Sequence, residues 1–534
     1  MFNNFVRHCL THGALIRPLN INPEENEYVG TCNPSIFFDG DRLRMILRKV
    51  SYALWSCDDQ YKFTTQYGPL WYITQDEDTR LKTKNYLCEL TDTAINYKLI
   101  NTSKLDVEPL WSFVGLEDAR LVRWNGKLYG TGVRRDTTTN GQGRMELSEL
   151  DENGNELSRV RIKAPGPDDS YCEKNWMPIL DMPYHYVKWC NPVEIVKVNP
   201  ETGDCETVLI KEQPQDLEYY NTNNMGIRGS SQVIPWGDYR IAITHMCELW
   251  INEKKQKCGV GYFEQFIIWD KDWNIIKLSE PFNFAGFGIE FTNGLAYKDG
   301  VFYIPFALQD NFSFMVEVNE KLISDFIFNN DKKPGNYILT GSVLLKFFND
   351  PYNSENCMNL GHTYYKQGYY APSMVLYERA CEYNTFNSVE ELYTSMYMCG
   401  KSIASMGHRD DAEILLWNKM IDLIPNRSEG YLMASRYYIY RNRFSEAYTM
   451  AKLGYQLNNF GLLLPNDLNE LNLTSFDGDI QYIMSLYYTE KYLDVMPMLE
   501  KLKQRYNVTK DQLYEIEHFI NYVLNNEKNK YRVL

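Results

Sequence analysis

Five segments of this chain repeat one pattern: a polar head, an apolar run, a tight turn and a second apolar run. Asn33-Pro34-Ser35 precedes IFFDGDRLRMILRKV, and Glu117-Asp118-Ala119-Arg120 precedes LVRWNGKLYGTGVRR. Glu173-Lys174-Asn175-Trp176 leads into MPILDMPYHYVKW, Arg228-Gly229-Ser230-Ser231-Gln232 into VIPWGDYRIAITHM, and Glu290-Phe291-Thr292-Asn293 into GLAYKDGVFYIPFAL. Four of the five carry a turn pair at the same place: Asp39-Gly40, Asn125-Gly126, Gly237-Asp238 and Asp299-Gly300. Such pairs supply the positive φ angles of two-residue hairpin turns. Five headed hairpins in series predict a five-bladed β-propeller. Inner propeller strands begin around the central axis, so the five polar heads are expected to converge on one pocket.

The heads lie 84, 56, 55 and 62 residues apart. The long first interval predicts an insertion near residues 55–85, with Trp71 and QDEDTRLKTK, at the pocket rim. Residues 1–30 read as a lead-in segment in which Pro18 and Pro23 discourage a helix. Outer strands are expected at WYIT and YLCEL, then in MELSELDENGNELSRVRIKA, VEIVKVNPETGDCETVLIKE, FEQFIIWDKDWNIIKLSEP and SFMVEVNEKLISDFIF. Their acidic turns lack the full twelve-residue calcium-loop spacing and read as hairpin tips. YILTGSVLL, within 329–350, is a candidate closing strand.

From about residue 355 the apolar period changes from 2 to 3.6. Helix pairs are expected to turn at Gly368, Gly407, Asn442 and near Lys491, with a stop at Pro425 and an interruption over 457–476. Ala371, Ala412 and Ala447 follow the first three turns at positions where helices pack closely. The first turns are 39 and 35 residues apart, and this half resembles tetratricopeptide repeats over roughly 355–520. The expected organisation is a propeller over 1–350 and an all-α repeat domain over 351–534.

Composition narrows the partners. With 55 basic and 70 acidic residues the net charge is −15, which argues against a nucleic-acid footprint. No apolar run approaches the roughly 18 residues that span a membrane, and the N-terminal sequence lacks a secretory apolar core. The 12 cysteines show neither CxxC nor zinc-type spacing, so free thiols in a reducing cytosol are expected, with no metal or cofactor. P-loop, G-x-S-x-G and HExxH motifs are missing.

The heads hold the candidate chemistry. Glu117 and Asp118 beside Arg120 allow one carboxyl to stay ionised while its neighbour's pKa rises; the plainer reading is a salt-bridged strand end. Strand alternation sends Glu173 and Asn175 one way and Lys174 and Trp176 the other, with Trp176 expected between blades. Lys174, Arg228, Arg134 and Arg135 could surround a phosphate or sugar-nucleotide diphosphate. His245 ends an apolar run opposite RGSSQ, as a ligand contact or as a satisfied core histidine. Glu290 is the remaining carboxyl at a head, and glycoside cleavage commonly uses two.

Asn33-Pro34-Ser35, Arg48 and Glu117-Asp118-Ala119-Arg120 resemble the Asn-Pro, strand-end Arg and Glu-Asp-Pro-Arg signatures of glycoside hydrolase family 130. The resemblance covers about residues 30–330, with Ala119 replacing the family's proline. It implies a five-bladed propeller acting on β-mannosides, Asp118 as proton donor, and Asn33 and Arg48 as sugar contacts. Glu173 or Glu290 is the expected second catalytic carboxyl. Glu117, Arg120, Lys174, Asn175, Arg228 and His245 are expected to bind a carbohydrate or sugar phosphate. The third and fourth heads depart from the family pattern, so hydrolysis, phosphorolysis and glycosyl transfer all stay open. The helical repeats are expected to dock a protein partner. The competing reading is a non-catalytic scaffold, against which stand the charged heads and the absence of Gly-His and Trp-Asp repeats.

Overall fold

The computed structural model describes residues 2–22, 27–56, 70–75, 77–164, 172–212, 227–251, 257–328, 341–407 and 412–505. Two compact units, Met1–Leu376 and Tyr377–Leu534, make up the chain. The first contains a five-bladed β-propeller and the second is helical.

Each blade is an antiparallel sheet whose strands follow one another outward. Blade one runs Gly30–Asp39, Arg42–Val50, Leu81–Leu90, Ile95–Leu99, and blade two Leu116–Trp124, Lys127–Arg134, Arg144–Leu150, Glu156–Arg161. Blade three runs Met177–Pro178, His185–Cys190, Val193–Val198, Cys205–Lys211. In blade four Arg228–Gly229 and Ile234–Trp236 share the inner edge, followed by Tyr239–Ile251, Lys257–Trp269 and Ile275–Leu278. Blade five has Glu290–Phe291 and Ala296–Lys298 inside, then Val301–Leu308 and Phe312–Asn319. All five heads therefore sit at or beside the start of an innermost strand.

The turn chemistry follows the residues. Asn125-Gly126 and Asp299-Gly300 take positive φ at both positions (49° and 80°; 50° and 79°). In blades one and four the two-residue loops are Gly40-Asp41 and Gly237-Asp238, and the glycine comes first, at φ 64° and 58°. These are the two hairpin classes whose twist matches the strands.

Side-chain amides tie the inner strands together. Gln232 Nε2 donates to Ser35 Oγ (2.8 Å), Ile36 O (3.1 Å) and Leu121 O (3.0 Å), joining blade four to blades one and two. Asn293 Nδ2 donates to Ala119 O at 3.0 Å, adding blade five. Apolar clusters fill the gaps between blades, for example Phe37, Ile46 and Leu87 against Leu116, Leu121 and Leu128. Each such side chain contributes about 1.5–3 kcal/mol on burial.

Four expectations need correction. The closing strand is Leu15–Pro18, which pairs with Phe312–Asn319 from Leu15↔Glu317 to Pro18↔Phe314, so the N-terminus completes blade five. Val343–Asn349 is a helix; the rest of the segment expected to close the sheet, residues 337–340, lies outside the described residues. The lead-in does form a helix, Phe5–Thr11, capped by Asn4, whose side chain accepts from Arg7 N at 3.0 Å. Pro18 lies beyond that helix, and Pro23 is outside the described residues. In blade five the strand ends at Asn319 and EKLISDFIF continues as the helix Glu320–Phe328. WYIT belongs to a separate hairpin, Ala53–Ser56 with Leu70–Ile73, inside the expected insertion.

The helical unit is built from successive pairs. Its helices are Val389–Ser405, Ala412–Leu423, Ser428–Tyr440, Phe444–Leu457, Ser475–Tyr488 and Tyr492–Arg505. Tyr370–Tyr383 carries the unit division within it and follows Ser354–Lys366. The turns place Gly368, Gly407, Asn442 and Glu490 at positive φ, the left-handed residue that ends a helix. The last step is longer because the 3-10 turn Asn466–Leu471 intervenes. Ala371, Ala412 and Ala447 are fully buried, and capping boxes open the helices after Ser388 and Thr474. No helix among the described residues is long and apolar enough to cross a membrane.

Candidate active site

A backbone irregularity recurs at the heads and shapes the site. Asn33, Asp118 and Asn175 all have left-handed backbone, at φ 48°, 52° and 66°. Asn and Asp tolerate this conformation best among residues with a side chain. In blades one and two it coincides with a register slip, between Cys32 and Ser35 and opposite Gly132. In blade four Ser230 N and Ser231 N both donate to Ile243 O, at 3.2 and 3.1 Å, two residues opposite one. Such bulges re-aim side chains at the start of a strand. Gly132 makes room for one of them, since a Cβ there would lie 2.3 Å from Glu117 O.

Around these bulges blades one and two share a charge cluster. Asp118 Oδ1 accepts from Asn33 Nδ2 at 2.7 Å and from Arg48 Nη1 at 3.0 Å. Arg48 Nη2 lies 3.8 Å from Glu117 Oε2, and its Nε donates to Thr83 Oγ1 at 3.1 Å. Arg120 donates from Nη1 to Asp118 O (2.8 Å) and from Nε and Nη2 to Ser230 O (2.9 and 2.8 Å). Its guanidinium is fully enclosed, and burial pulls its pKa down to about 10, so it remains charged at neutral pH.

The two adjacent carboxyls are driven apart. Burial lifts Glu117 above the ordinary carboxylate range, with Asp118 adding to the rise against Arg48, Arg135 and Lys174. Asp118 meets the same burial penalty, but Arg48, Arg120, Lys174 and the Asn33 hydrogen bond outweigh it and hold it below its usual value. Glu117 Oε1 and Asn33 Oδ1 are buried acceptors without a protein donor among the described residues. The cluster thus has one ionised carboxylate, one carboxyl inclined to keep a proton, and two enclosed acceptors with no donor among the described residues.

Lys174 and Arg228 are exposed, and both act electrostatically on His245 together with Arg120 and Asp118. His245 is buried, and that burial, reinforced by these cations, lowers its pKa to about 3. Asn175 is buried and its carbonyl backs onto Gly229.

Other predicted residues have different partners. Glu173 accepts from the Trp176 indole (3.1 Å) and faces Lys188 at 3.8 Å, while Trp176 packs with Tyr186 and Met145 between blades two and three. Glu290 accepts from the backbone amides of Phe284 (2.5 Å), Ala285 (3.0 Å) and Phe287 (2.7 Å), binding up its own approach loop. Arg134 pairs with Glu146 at 2.7 Å, and Arg135 lies over the Phe113 ring at 4.5 Å.

Two carboxyls went unread in the sequence. Asp310 sits in the turn joining Val301–Leu308 to Phe312–Asn319 in blade five, accepts from Tyr52 OH at 3.1 Å, and is raised by burial against the pull of Arg48. The signal was the turn itself, LQDNF, with Gln309 and Asp310 both at positive φ. Glu264 lies fully buried under His245, and its signal was a carboxyl inside the apolar strand GYFEQFIIW. A cavity of about 410 Å³ opens between blades one and two, lined by Thr83, Asn85, Leu116 and Asp136 among others. Arg48, Glu117 and Asp118 are not among its lining residues, so it is distinct from the charge cluster.

No family model matches the sequence, and no curated protein matches it. Solved structures do. A β-1,2-mannobiose phosphorylase from Listeria innocua is 12% identical with a TM-score of 0.37, over 58% of this chain and 96% of that one. A mannose phosphorylase from Leishmania mexicana, in complex with phosphate ion, is 12% identical with a TM-score of 0.34, over 59% and 92%. A GDP-Man-dependent mannosyltransferase from Leishmania mexicana is 11% identical with a TM-score of 0.32, over 55% and 85%.

Proposed function

We propose that the propeller is a carbohydrate-active enzyme that cleaves, phosphorolyses or transfers a glycosyl unit, mannosyl by the resemblance of its heads to glycoside hydrolase family 130. The observation that carries this reading is the meeting of Asn33, Arg48, Glu117 and Asp118 from two blades. These are the residues on which the resemblance rests. Asp118, expected to donate a proton, is held below its usual value in the free protein, whereas Glu117 beside it is raised above the ordinary carboxylate range. We therefore read the two as a coupled pair in which Glu117 stores the proton and Asp118 orients a sugar hydroxyl. Arg48 and Asn33 hold Asp118 in place. Lys174, Arg228 and His245 suit the oxygens of phosphate or a sugar phosphate, which would be a substrate here and not a resident cofactor.

Asp310 is the best-placed second carboxyl, because it interacts with Arg48, Asp118 and Lys174 while Glu173 and Glu290 are engaged elsewhere. The helical part we read as tetratricopeptide-like and partner-docking, supported by left-handed turns at Gly368, Gly407 and Asn442 and by buried alanines after them. The organisation we propose assigns 1–350 to catalysis and 351–534 to docking, in a reducing cytosol. The test is a turnover screen of the full chain with mannose 1-phosphate, GDP-mannose, phosphate plus manno-oligosaccharides, and nitrophenyl glycosides. Turnover lost in Asp118→Asn supports the reading, and its productive substrate separates transfer, phosphorolysis and hydrolysis. Absence of both turnover and sugar binding refutes it in favour of a scaffold.

A further inference from the structure

Behind the cationic wall of the site lies a buried chain of three polar side chains, His245, Ser230 and Glu264. Arg228, His245 and Glu264 are cross-strand partners in blade four, Arg228↔His245 and His245↔Glu264, so they form one row on one face. The bulge at Ser230 sets its hydroxyl between the last two, 2.9 Å from His245 Nδ1 and 3.2 Å from Glu264 Oε2. Ser230 is held from the other side by the two Arg120 bonds to its carbonyl. The order, with serine in the middle, is not that of a nucleophilic triad, in which histidine stands between serine and the acid.

The imidazole is fixed in place. It stacks on Tyr262 (centroids 5.8 Å apart, 12° between planes) and meets Phe291 edge-on at 5.0 Å. Nδ1 faces Ser230, and no hydrogen bond to Nε2 forms among the described residues. Nε2 is therefore the end available to a ligand.

We propose that Glu264 carries a proton and, through Ser230, fixes His245 as the Nε2–H tautomer, a neutral donor to a sugar hydroxyl or phosphoryl oxygen. This rests on the carbohydrate reading only for the ligand's identity. Glu264 is fully enclosed; besides Ser230 its carboxyl meets the Thr292 amide at 3.3 Å, and no cation lies within ion-pair distance among the described residues. Its charged form would be unpaired in a dry site, which favours protonation. Burial raises its pKa well above the ordinary range, and the nearby Glu290 carboxyl adds to the rise. Proton count then fixes every direction. Glu264 Oε2–H donates to Ser230 Oγ, Ser230 Oγ–H donates to His245 Nδ1, and the remaining ring proton lies on Nε2. An ionised Glu264 would reverse the chain, put the proton on Nδ1 and turn Nε2 into an acceptor. Burial keeps the ring neutral through the physiological range; of the charged groups facing it, Lys174, Arg228 and Arg120 act in the same direction and Asp118 opposes them. Glu264 and Ser230 are thus positioning residues, and His245 the ligand contact.

The test is nitrogen-15 NMR of the full chain with labelled histidine, the His245 signals being assigned through His245→Gln. The Nε2–H tautomer is expected from pH 5 to 7.5, unchanged in Glu264→Gln, whose amide donates to Ser230 in the same direction. Ser230→Ala should lose the single tautomer and, where a turnover assay exists, lower kcat/KM about tenfold, the worth of one hydrogen bond. An Nδ1–H tautomer in the wild type, or one that inverts in Glu264→Gln, overturns the proposal. Because the readout needs no substrate, a failed activity screen would refute the enzymatic reading and leave this one standing.

Discussion

A proton held by Glu264 has a thermodynamic consequence that Glu264→Gln isolates. A carboxyl whose pKa is raised in the folded state stabilises the fold fully below its unfolded pKa, about 4.3, and that contribution is lost as pH climbs toward the folded value. In that window the native state binds one more proton than the unfolded chain. The unfolding free energy then falls with pH by about 1.4 kcal/mol per unit for this group. Glutamine removes the titration while keeping shape and a donor toward Ser230. Between pH 5 and 7 the variant should therefore gain stability relative to wild type, by at most about 1.4 kcal/mol per pH unit. Below pH 4 the two profiles should run parallel. Urea unfolding followed by tryptophan fluorescence suits the measurement, because ten of the 11 tryptophans lie within residues 1–376, in the propeller unit. Glu117, Asp310 and Glu290 share the raised direction but occur in both proteins and cancel in the difference. Profiles that stay parallel from pH 5 to 7 would mean that Glu264 is ionised when folded, and the reasoning about its burial would fail.

Three further outcomes follow from the site. Asp118→Asn should abolish turnover while Glu117→Gln removes the limb of the pH–rate profile that reports the protonated acid; an unchanged profile in Glu117→Gln would break the pairing. Glu290→Ala should destabilise the propeller by about 3 kcal/mol or more, from three amides left without their acceptor, while sugar affinity in calorimetry stays unchanged. Gly132→Ala forces a Cβ to 2.3 Å from Glu117 O and 3.0 Å from Ala119 Cα, so it should cost about 1–3 kcal/mol in urea unfolding and weaken ligand binding by shifting Asp118.

What could be read in the sequence was what local chemistry repeats. Asn125-Gly126 and Asp299-Gly300 announce hairpins because few other pairs accept two positive φ angles, and five polar-headed repeats, four of them with a turn pair, leave little besides a propeller. The positions of Asn33 and Asp118 were legible as residues tied to strand starts, and that of Arg48 as one near a strand end. The closing strand was not. LIRP at residues 15–18 is too short to display a period, and only the sheet edge left open by Phe312–Asn319 gives it a place. Glu290 misled because a carboxyl at a strand head looks alike whether it faces a pocket or a ring of backbone amides; the amides of residues 284–287 decide, and they come from a loop without periodic signal.

Arg120 shows why pairwise reading of the heads falls short. Its sequence context, beside Glu117 and Asp118, suggests a counter-ion, yet its guanidinium bonds the carbonyl of Asp118 on one side and that of Ser230 on the other. It spans from the bulge of blade two to the bulge of blade four. A single buried cation therefore sets the backbone of the carboxylate pair and also the residue that orients His245. Because both bonds go to carbonyls, the Asp118 carboxylate remains free for Arg48 and Asn33, and the Ser230 hydroxyl for Glu264 and His245. Displacing either head shifts the other through one rigid guanidinium and its hydrogen bonds. The acid side and the cationic side of the site are thus held at one separation by one residue, which is the condition for one rigid ligand to meet both at once.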